Sequence, residues 1–134
     1  MYFPVLRGRR EELFALEGCT AIVAAARKVM PVIEPAAAQS VRLTAILTSG
    51  VTCCLIVNPS VGDYAGATLP TQFQVLSSHP NIIPTLIIDG GTAAQHVADF
   101  VAIHPGRRAF YYKRIPAHHS VIAATVAAAV PTLS

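Results

Sequence analysis

The sequence predicts an α/β fold in which strands and helices alternate and the strands form a parallel sheet. Five short apolar runs recur about every 25 to 30 residues, which is the length of one βα unit, and a segment with helical periodicity follows each run. The runs are apolar on both faces, as is typical of strands that helices cover on both sides. The five runs are Tyr2–Leu6, Val29–Ile33, Thr52–Val57, Ile82–Ile88 and Ala109–Tyr112.

The segments that follow the runs predict five helices. The first carries one apolar stripe formed by Leu13, Leu16, Thr20 and Val23. Arg27 and Lys28 lie in its last turn, where cations suit the helix dipole. The fourth opens with Thr92 as N-cap, and Gln95 follows three residues later, which is the spacing of a capping box. The other three helices are predicted over Ala37–Thr48, Thr71–Ser78 and His118–Ala129.

Right-handed crossovers between these elements give a parallel sheet of five βα units. Two arrangements of the sheet are compatible with this order. One is part of a TIM-like (β/α)8 barrel, and the other is an open, doubly wound five-stranded sheet. Proline inside the first, second and fourth runs argues against strands that are hydrogen-bonded on both sides, and this is a weakness of both arrangements.

Length and composition indicate one compact domain over residues 1–134. The chain is 53% hydrophobic and 13% charged, which excludes a disordered protein because enough apolar surface is available for a core. Three cysteines are too few for a small disulfide-stapled scaffold. The net charge of +3 is mildly basic and suits anionic ligands.

The cysteines and the chain ends predict a cytoplasmic protein that binds no membrane. All three cysteines lie in apolar surroundings, and an odd count with the adjacent pair Cys53 and Cys54 fits buried, reduced thiols. The N-terminus becomes charged at Arg7, before a signal peptide could form. The uncharged stretch Ile115–Ser134 is rich in alanine and interrupted by prolines, which argues against a membrane span.

The candidate site consists of the first polar residue after each apolar run, because functional groups of parallel α/β folds collect where strands end. These residues are Arg7, Glu34, Asn58, Asp89 and Lys113. We expect the two carboxylates to act as catalytic acids or bases or to face a metal, the two cations to clamp an anion, and the amide to orient it. Such a set could hold a phosphate or a sugar. The alternative is that polar residues follow strands because loops are exposed to solvent and favour turn-forming residues.

Gly90 and Gly91 extend this candidate site because they join the fourth run to a helix N-terminus. Free N–H groups at such a point attract anions, and glycine lets a phosphate approach closely. An ordinary turn is the alternative, since neither glycine-rich nucleotide-binding signature is present. The five histidines show no metal-ligand spacing, so no metal site is predicted, and no cofactor is indicated.

Two basic clusters support a second functional class. They are Arg7–Arg10 and Arg107–Arg114, and the latter includes the aromatic residues Phe110, Tyr111 and Tyr112. Basic residues interleaved with aromatics can hold a nucleic-acid backbone and stack on bases. The aromatics lie in a run predicted to be buried, however, and this makes a solvated rim the favoured interpretation.

Several segments resemble the beta protein family, whose members occur in T4-like phages and in bacteria. The similar segments are Met1–Arg9, Glu12–Leu16, Pro31–Pro35, Leu55–Asp63 and, less distinctively, Ile82–Ile88. The resemblance implies a barrel-like fold without an assigned reaction, and some bacterial members are linked to mobile or phage-defence gene neighbourhoods. Because members are longer than this chain, it implies an N-terminal portion or a shortened relative.

Three hypotheses about function follow. The preferred one is a protein that binds a small anionic or phosphorylated ligand at the C-terminal mouth of the sheet, with hydrolase-type and lyase-type chemistry both left open. The second is a non-catalytic, nucleic-acid-associated phage or phage-defence accessory. The third is a truncated assembly module, in which a second copy or a missing C-terminal half covers an exposed sheet edge.

Overall fold

The computed structural model describes residues 1–26, 28–66, 68–113 and 119–129. The described residues alternate between strand and helix. The strands are β1 (Val5–Arg7), β2 (Val32–Glu34), β3 (Cys53–Ile56), β4 (Ile82–Ile88) and β5 (Ala109–Tyr112). The helices are α1 (Arg10–Gly18), α2 (Thr20–Ala26), α3 (Ser40–Thr48), α4 (Thr71–Leu76), α5 (Ala94–Ile103) and α6 (His119–Ala129). Arg27, Arg114 and His118 lie outside the described residues.

The five strands form an open, all-parallel sheet in the order β1-β2-β3-β4-β5. The predicted α/β fold with alternating strands and helices is therefore confirmed. The sheet is open, as in the doubly wound alternative, and its strand order follows the chain. Cα partners include Val5 with Val32 in the first strand pair and Thr85 with Ala109 in the last.

Prolines shorten the first two strands but do not exclude these segments from the sheet. Pro4 and Pro31 lie just before β1 and β2. Each still accepts a backbone hydrogen bond, from the Val32 N–H at 2.8 Å and from the Cys54 N–H at 2.9 Å respectively. Proline lacks only the donor, so one backbone group per proline is lost from the sheet. Pro84 lies within β4, one residue before the pairing with β5 begins.

The first predicted helix is two helices, which corrects the sequence-based prediction. Helix α1 ends at Gly18, where a glycine costs about 1 kcal/mol relative to alanine in a helix interior. The Cys19 N–H then bonds the Leu16 carbonyl at 3.0 Å, which closes the last turn. Because α2 ends at Ala26, Lys28 does not lie in its last turn. None of the helices in the described ranges combines the length and apolarity that crossing a bilayer requires.

The chain divides into two compact units, Met1–Ile83 and Pro84–Ser134. In the first unit, α1 packs beside α3 and α3 beside α4. These helices contribute their apolar faces to one core cluster together with strand residues. The cluster includes Leu13, Leu16, Ile33, Leu43, Ile46, Leu47, Cys53, Leu55, Phe73, Leu76 and Ile82. Each fully buried aliphatic side chain contributes about 1.5–3 kcal/mol, so this cluster holds the helices against β2 and β3.

In the second unit, α5 packs against α6. Val97 and Phe100 of α5 are buried, as are Ile122 and Val126 of α6. The rings of Phe100 and Phe110 meet edge to face, with centroids 5.6 Å apart. Strand β5 is only partly buried along its length, whereas the sequence predicted a buried strand. It is the last strand in the sheet order.

Candidate functional site

The structure places the five candidate residues at or just after the C-terminal ends of strands. Arg7 and Glu34 are the last residues of β1 and β2, and Asn58 lies two residues after β3 ends. These three belong to the first unit. In the second unit, Asp89 and Lys113 directly follow β4 and β5.

Arg7 and Glu34 are Cα partners in the parallel pair of β1 and β2. Side chains of such partners point to the same face, and the strands lie about 4.8 Å apart. Their exposure differs, since Arg7 is exposed whereas Glu34 is 2% exposed. The Gly8 N–H donates to the Glu34 carbonyl at 2.7 Å and extends the pairing. The end of this strand pair therefore presents a cation to solvent beside a buried carboxylate.

The Glu34 carboxylate holds a loop that comes much later in the chain. Its Oε2 atom accepts hydrogen bonds from the Ser60 N–H at 2.7 Å and from the Ser60 hydroxyl at 3.1 Å. The two residues are 26 positions apart, and Ser60 lies in the loop between β3 and α4. A charged acceptor roughly doubles the strength of a hydrogen bond. Glu34 is therefore a structural anchor for this loop, whatever else it does.

The same loop lies directly against the end of β2. Gly62 has φ +81°, and a Cβ atom on it would come within 2.5 Å of the Ala36 Cβ. The neighbouring Asp63 N–H donates to the Ala36 carbonyl at 3.0 Å. Glycine is required at this point for both its conformation and its lack of a side chain. Asn58, at the start of the loop, is exposed.

Ser60 and Gly62 contact the end of β2 beside the candidate site, and the sequence did not single them out. Both lie in a polar segment after the third apolar run, between Asn58 and Asp63. This segment marks a loop because it contains proline, glycine and turn-forming residues. Nothing in the sequence indicates which loop hydroxyl meets Glu34.

In the second unit, Asp89 closes its own turn. Its Oδ1 accepts hydrogen bonds from the Gly91 N–H at 2.9 Å and from the Thr92 hydroxyl at 3.3 Å. The Thr92 hydroxyl in turn accepts the Asp89 N–H at 2.9 Å. The sequence predicts that the Gly91 N–H binds an anion. In the structure this N–H already donates to the Asp89 carboxylate. Gly90 beside it is exposed.

The predicted N-cap of the fourth helix is wrong by one residue. Helix α5 begins at Ala94 and its N-cap is Ala93, which has no side-chain acceptor. The hydroxyl of Thr92 is already bonded within the turn that Asp89 closes. The side chain that accepts a backbone N–H here belongs to His96, whose Nδ1 accepts the Ala93 N–H at 2.9 Å.

Lys113 continues the last strand pair beside Asp89. Ile88 and Tyr112 are Cα partners in β4 and β5, and the Lys113 N–H donates to the Ile88 carbonyl at 2.9 Å. Lys113 is exposed and Asp89 is half-buried. The end of this strand pair also combines a cation with a carboxylate.

The adjacent thiols of Cys53 and Cys54 are buried. Burial, and secondarily the neighbouring Cys54, raise the pKa of the Cys53 thiol to about 12, so it stays protonated and unreactive. Cys54 is also buried, and its thiol lies 3.7 Å from the Met30 sulfur. Cys19, by contrast, is exposed, which corrects the expectation that all three are buried.

The described residues contain no group of three or more histidine, cysteine, aspartate or glutamate side chains that could hold a metal ion. Comparison with known proteins gave no family model, no curated protein and no solved structure that matches the chain. The resemblance to the beta protein family therefore stays a prediction.

Proposed function

We propose that the first unit binds a small anionic ligand, of the phosphate or phosphate-ester class, at the C-terminal ends of β1, β2 and β3. One observation carries this proposal: Arg7 is exposed at the end of β1, in register with a buried Glu34 that is already hydrogen-bonded. An anion approaching this end meets the guanidinium, because the carboxylate is withdrawn from solvent. A guanidinium donates two parallel hydrogen bonds to a phosphate.

The neighbouring residues complete the proposed site. Arg9 and Arg10 are exposed at the start of α1 and add positive charge. Asn58 is exposed at the start of the loop that Glu34 holds through Ser60, and its amide can donate to a ligand oxygen. Glu34 is then a positioning residue for this loop in addition to the acid or base role suggested by the sequence.

The second unit offers its own smaller version of this arrangement. Lys113 supplies an exposed cation, and Asp89 beside it is oriented by its bonds to the turn. We propose Lys113 as an anion contact and Asp89 as the carboxylate that faces the ligand. Gly90 lies at the same turn and lets a ligand approach closely.

The test is a titration with inorganic phosphate and with glycerol phosphate. Binding is measured by isothermal titration calorimetry and by the shift in melting temperature. We expect Arg7→Ala to weaken binding about tenfold or more, because a charged hydrogen bond contributes about 1.5–3 kcal/mol. Lys28→Ala is the matched control, since Lys28 is an exposed cation toward the N-terminal ends of β1 and β2, opposite the proposed site. Absence of binding in the unaltered protein, or equal affinity of Arg7→Ala and Lys28→Ala, would overturn the proposal.

One observation supports nucleic-acid binding as a second candidate. Tyr112 is 43% exposed, although the sequence predicted a buried strand here. Arg107 and Lys113 are exposed nearby in the chain, whereas the Arg108 guanidinium donates to the His104 carbonyl at 3.0 Å. The same titration is repeated with a single-stranded oligonucleotide. This candidate is favoured if the oligonucleotide binds more weakly as the salt concentration rises. It also requires that Tyr112→Ala lowers the affinity and that Arg7→Ala does not.

A further inference from the structure

The outer side of β1 is an unpaired strand edge. Along β1 and the residues that flank it, alternate residues bond to β2 or to the residues just before β2. Tyr2 donates to the Lys28 carbonyl at 2.7 Å, the Pro4 carbonyl accepts the Val32 N–H, and the Gly8 N–H donates to Glu34. Backbone groups alternate between the two sides of a strand. Phe3 and Val5, which alternate with these residues along the edge, therefore direct their N–H and C=O groups away from β2.

These outward groups have no partner in the part of the chain that the structure describes, and β1 is the first strand in the sheet order. The side chains along this edge are apolar and exposed. The exposed fractions are 66% for Tyr2, 51% for Phe3 and 40% for Val5. Unpaired backbone groups flanked by exposed apolar side chains form a template for strand addition.

Pro4 does not block this edge, although it lies in the middle of it. Its carbonyl faces β2, where it accepts the Val32 N–H at 2.8 Å. The nitrogen of the same residue faces the same side in a parallel pair. The donor that proline lacks is therefore missing from the inner side, and the donors of Phe3 and Val5 remain on the outer side.

We propose that β1 pairs antiparallel with β1 of a second copy of this chain, about a two-fold axis at Pro4. Phe3 of each copy then lies opposite Val5 of the other, and each such pair exchanges both of its backbone hydrogen bonds. This register uses all outward groups of the two residues. The two proline residues face each other at a position where no N–H is needed. The Arg7 carbonyl already accepts the Arg9 N–H at 2.6 Å, which ends the edge there.

Charge selects the antiparallel direction. Arg7, Arg9 and Arg10 follow the edge directly and are exposed. A parallel pairing of two copies would bring these arginines together, and like charges disfavour such an arrangement. The antiparallel pairing sends them to opposite ends. It also places Phe3 against a β-branched residue of the other copy, which is a favourable cross-strand pair.

The register is tested by cysteine crosslinking with the exposed Cys19 replaced by serine. Non-hydrogen-bonded partners in an antiparallel pair have Cα atoms about 4.5 Å apart, which a disulfide can span. We expect Pro4→Cys to give a covalent dimer under mild oxidation. Tyr2→Cys, the matched control, should not, because it would face Leu6 of the other copy. Equal crosslinking of the two variants would overturn the proposed register.

Self-association itself is tested by sedimentation equilibrium of the unaltered protein. We expect the mass to rise with concentration from 14.1 kDa to twice that value. Val5→Pro removes an outward N–H donor together with the valine side chain and should abolish the rise. Ile22→Lys, which replaces an apolar residue that is 72% exposed on α2, should leave the rise intact.

Hydrogen exchange gives a measurement that needs no variant. The amides of Phe3 and Val5 should exchange more slowly as the concentration of the unaltered protein rises. A mass of 14.1 kDa at every concentration, or exchange of these amides that does not depend on concentration, would overturn the proposal even if Val5→Pro failed to fold.

Discussion

The two carboxylates that follow apolar runs, Glu34 and Asp89, do different work in the structure. Glu34 is 2% exposed and bonds Ser60, which lies 26 residues later. Asp89 is half-buried, and among the described residues its carboxylate bonds two and three positions ahead, to Gly91 and Thr92. One carboxylate therefore fastens a distant loop to the sheet, and the other shapes its own turn.

The difference follows from the length of the side chain and from the position of the strand end. Glu34 is still within β2, where it is the partner of Arg7, so its backbone is held by the sheet and its longer side chain reaches the next loop. Asp89 lies just beyond β4, and a short carboxylate in a turn bonds the backbone two residues on. An acidic residue at a strand end is therefore not by itself evidence of a catalytic group.

The largest expected effect comes from Gly62, which lies in the loop that Glu34 anchors. Gly62→Ala forces a positive φ on alanine and places its Cβ 2.5 Å from the Ala36 Cβ. We expect a loss of about 3 kcal/mol or more in the free energy of unfolding, from strain and overpacking together. Urea denaturation measures this loss.

Gly66→Ala is the matched control for this prediction. Gly66 has φ +70°, but a Cβ atom on it would meet nothing within 4 Å. Gly66→Ala should therefore lower the free energy of unfolding only through the strain of a positive φ, by about 1 kcal/mol. Equal losses at the two positions would show that contact with the end of β2 does not constrain the loop.

A second prediction compares the two carboxylates directly. Glu34→Ala removes the buried carboxylate that accepts the Ser60 N–H. We expect this change to lower the free energy of unfolding by about 2–3 kcal/mol. Asp89→Ala affects a turn that is partly solvated, so we expect about 1 kcal/mol or less. Urea denaturation of both variants measures the two losses in unfolding free energy and hence their ratio.

Two further variants refine this comparison. Ser60→Ala removes the hydroxyl bond to Glu34 at 3.1 Å and keeps the backbone N–H bond, and it should cost about 1 kcal/mol. Glu34→Gln keeps an oxygen acceptor and should cost less than Glu34→Ala. Equal costs for Glu34→Ala and Asp89→Ala would remove the distinction between a long-range anchor and a local turn.

The sequence predicted the limits of the last two strands best, although Pro84 is the third residue of the fourth run, as Pro4 and Pro31 are of the first two. The predicted limits Ile82–Ile88 and Ala109–Tyr112 are those observed. The first two runs begin earlier than β1 and β2, and β1 and β2 start directly after Pro4 and Pro31, which lack a backbone donor. Periodicity detects burial, and it does not detect which backbone groups are bonded.

The site was predictable only as far as it depends on chain direction. Parallel strands place the residues that follow the runs at strand ends, and this located Glu34 and Asp89. The partners of these residues were not predictable in the same way. The bond from Ser60 to Glu34 depends on how a loop 26 residues later packs, and short-range patterns carry no information about that packing.

The smallest expected effect tests why the turn at Asp89 displaced the predicted helix cap. Because the Thr92 hydroxyl bonds Asp89, helix α5 begins with Ala93 as an N-cap that has no side-chain acceptor. Ala93 has the extended backbone of an N-cap residue, with φ −108° and ψ 160°.

Ala93→Asp adds an acceptor for the N–H groups of the first turn and a negative charge at the positive end of the helix dipole. It should raise the free energy of unfolding by about 1 kcal/mol, measured by urea denaturation. Thr92→Val, which removes the hydroxyl from the turn, should lower it. A loss of stability in Ala93→Asp, or no change in Thr92→Val, would mean that the hydroxyl of Thr92 is not what keeps the cap from forming one residue earlier.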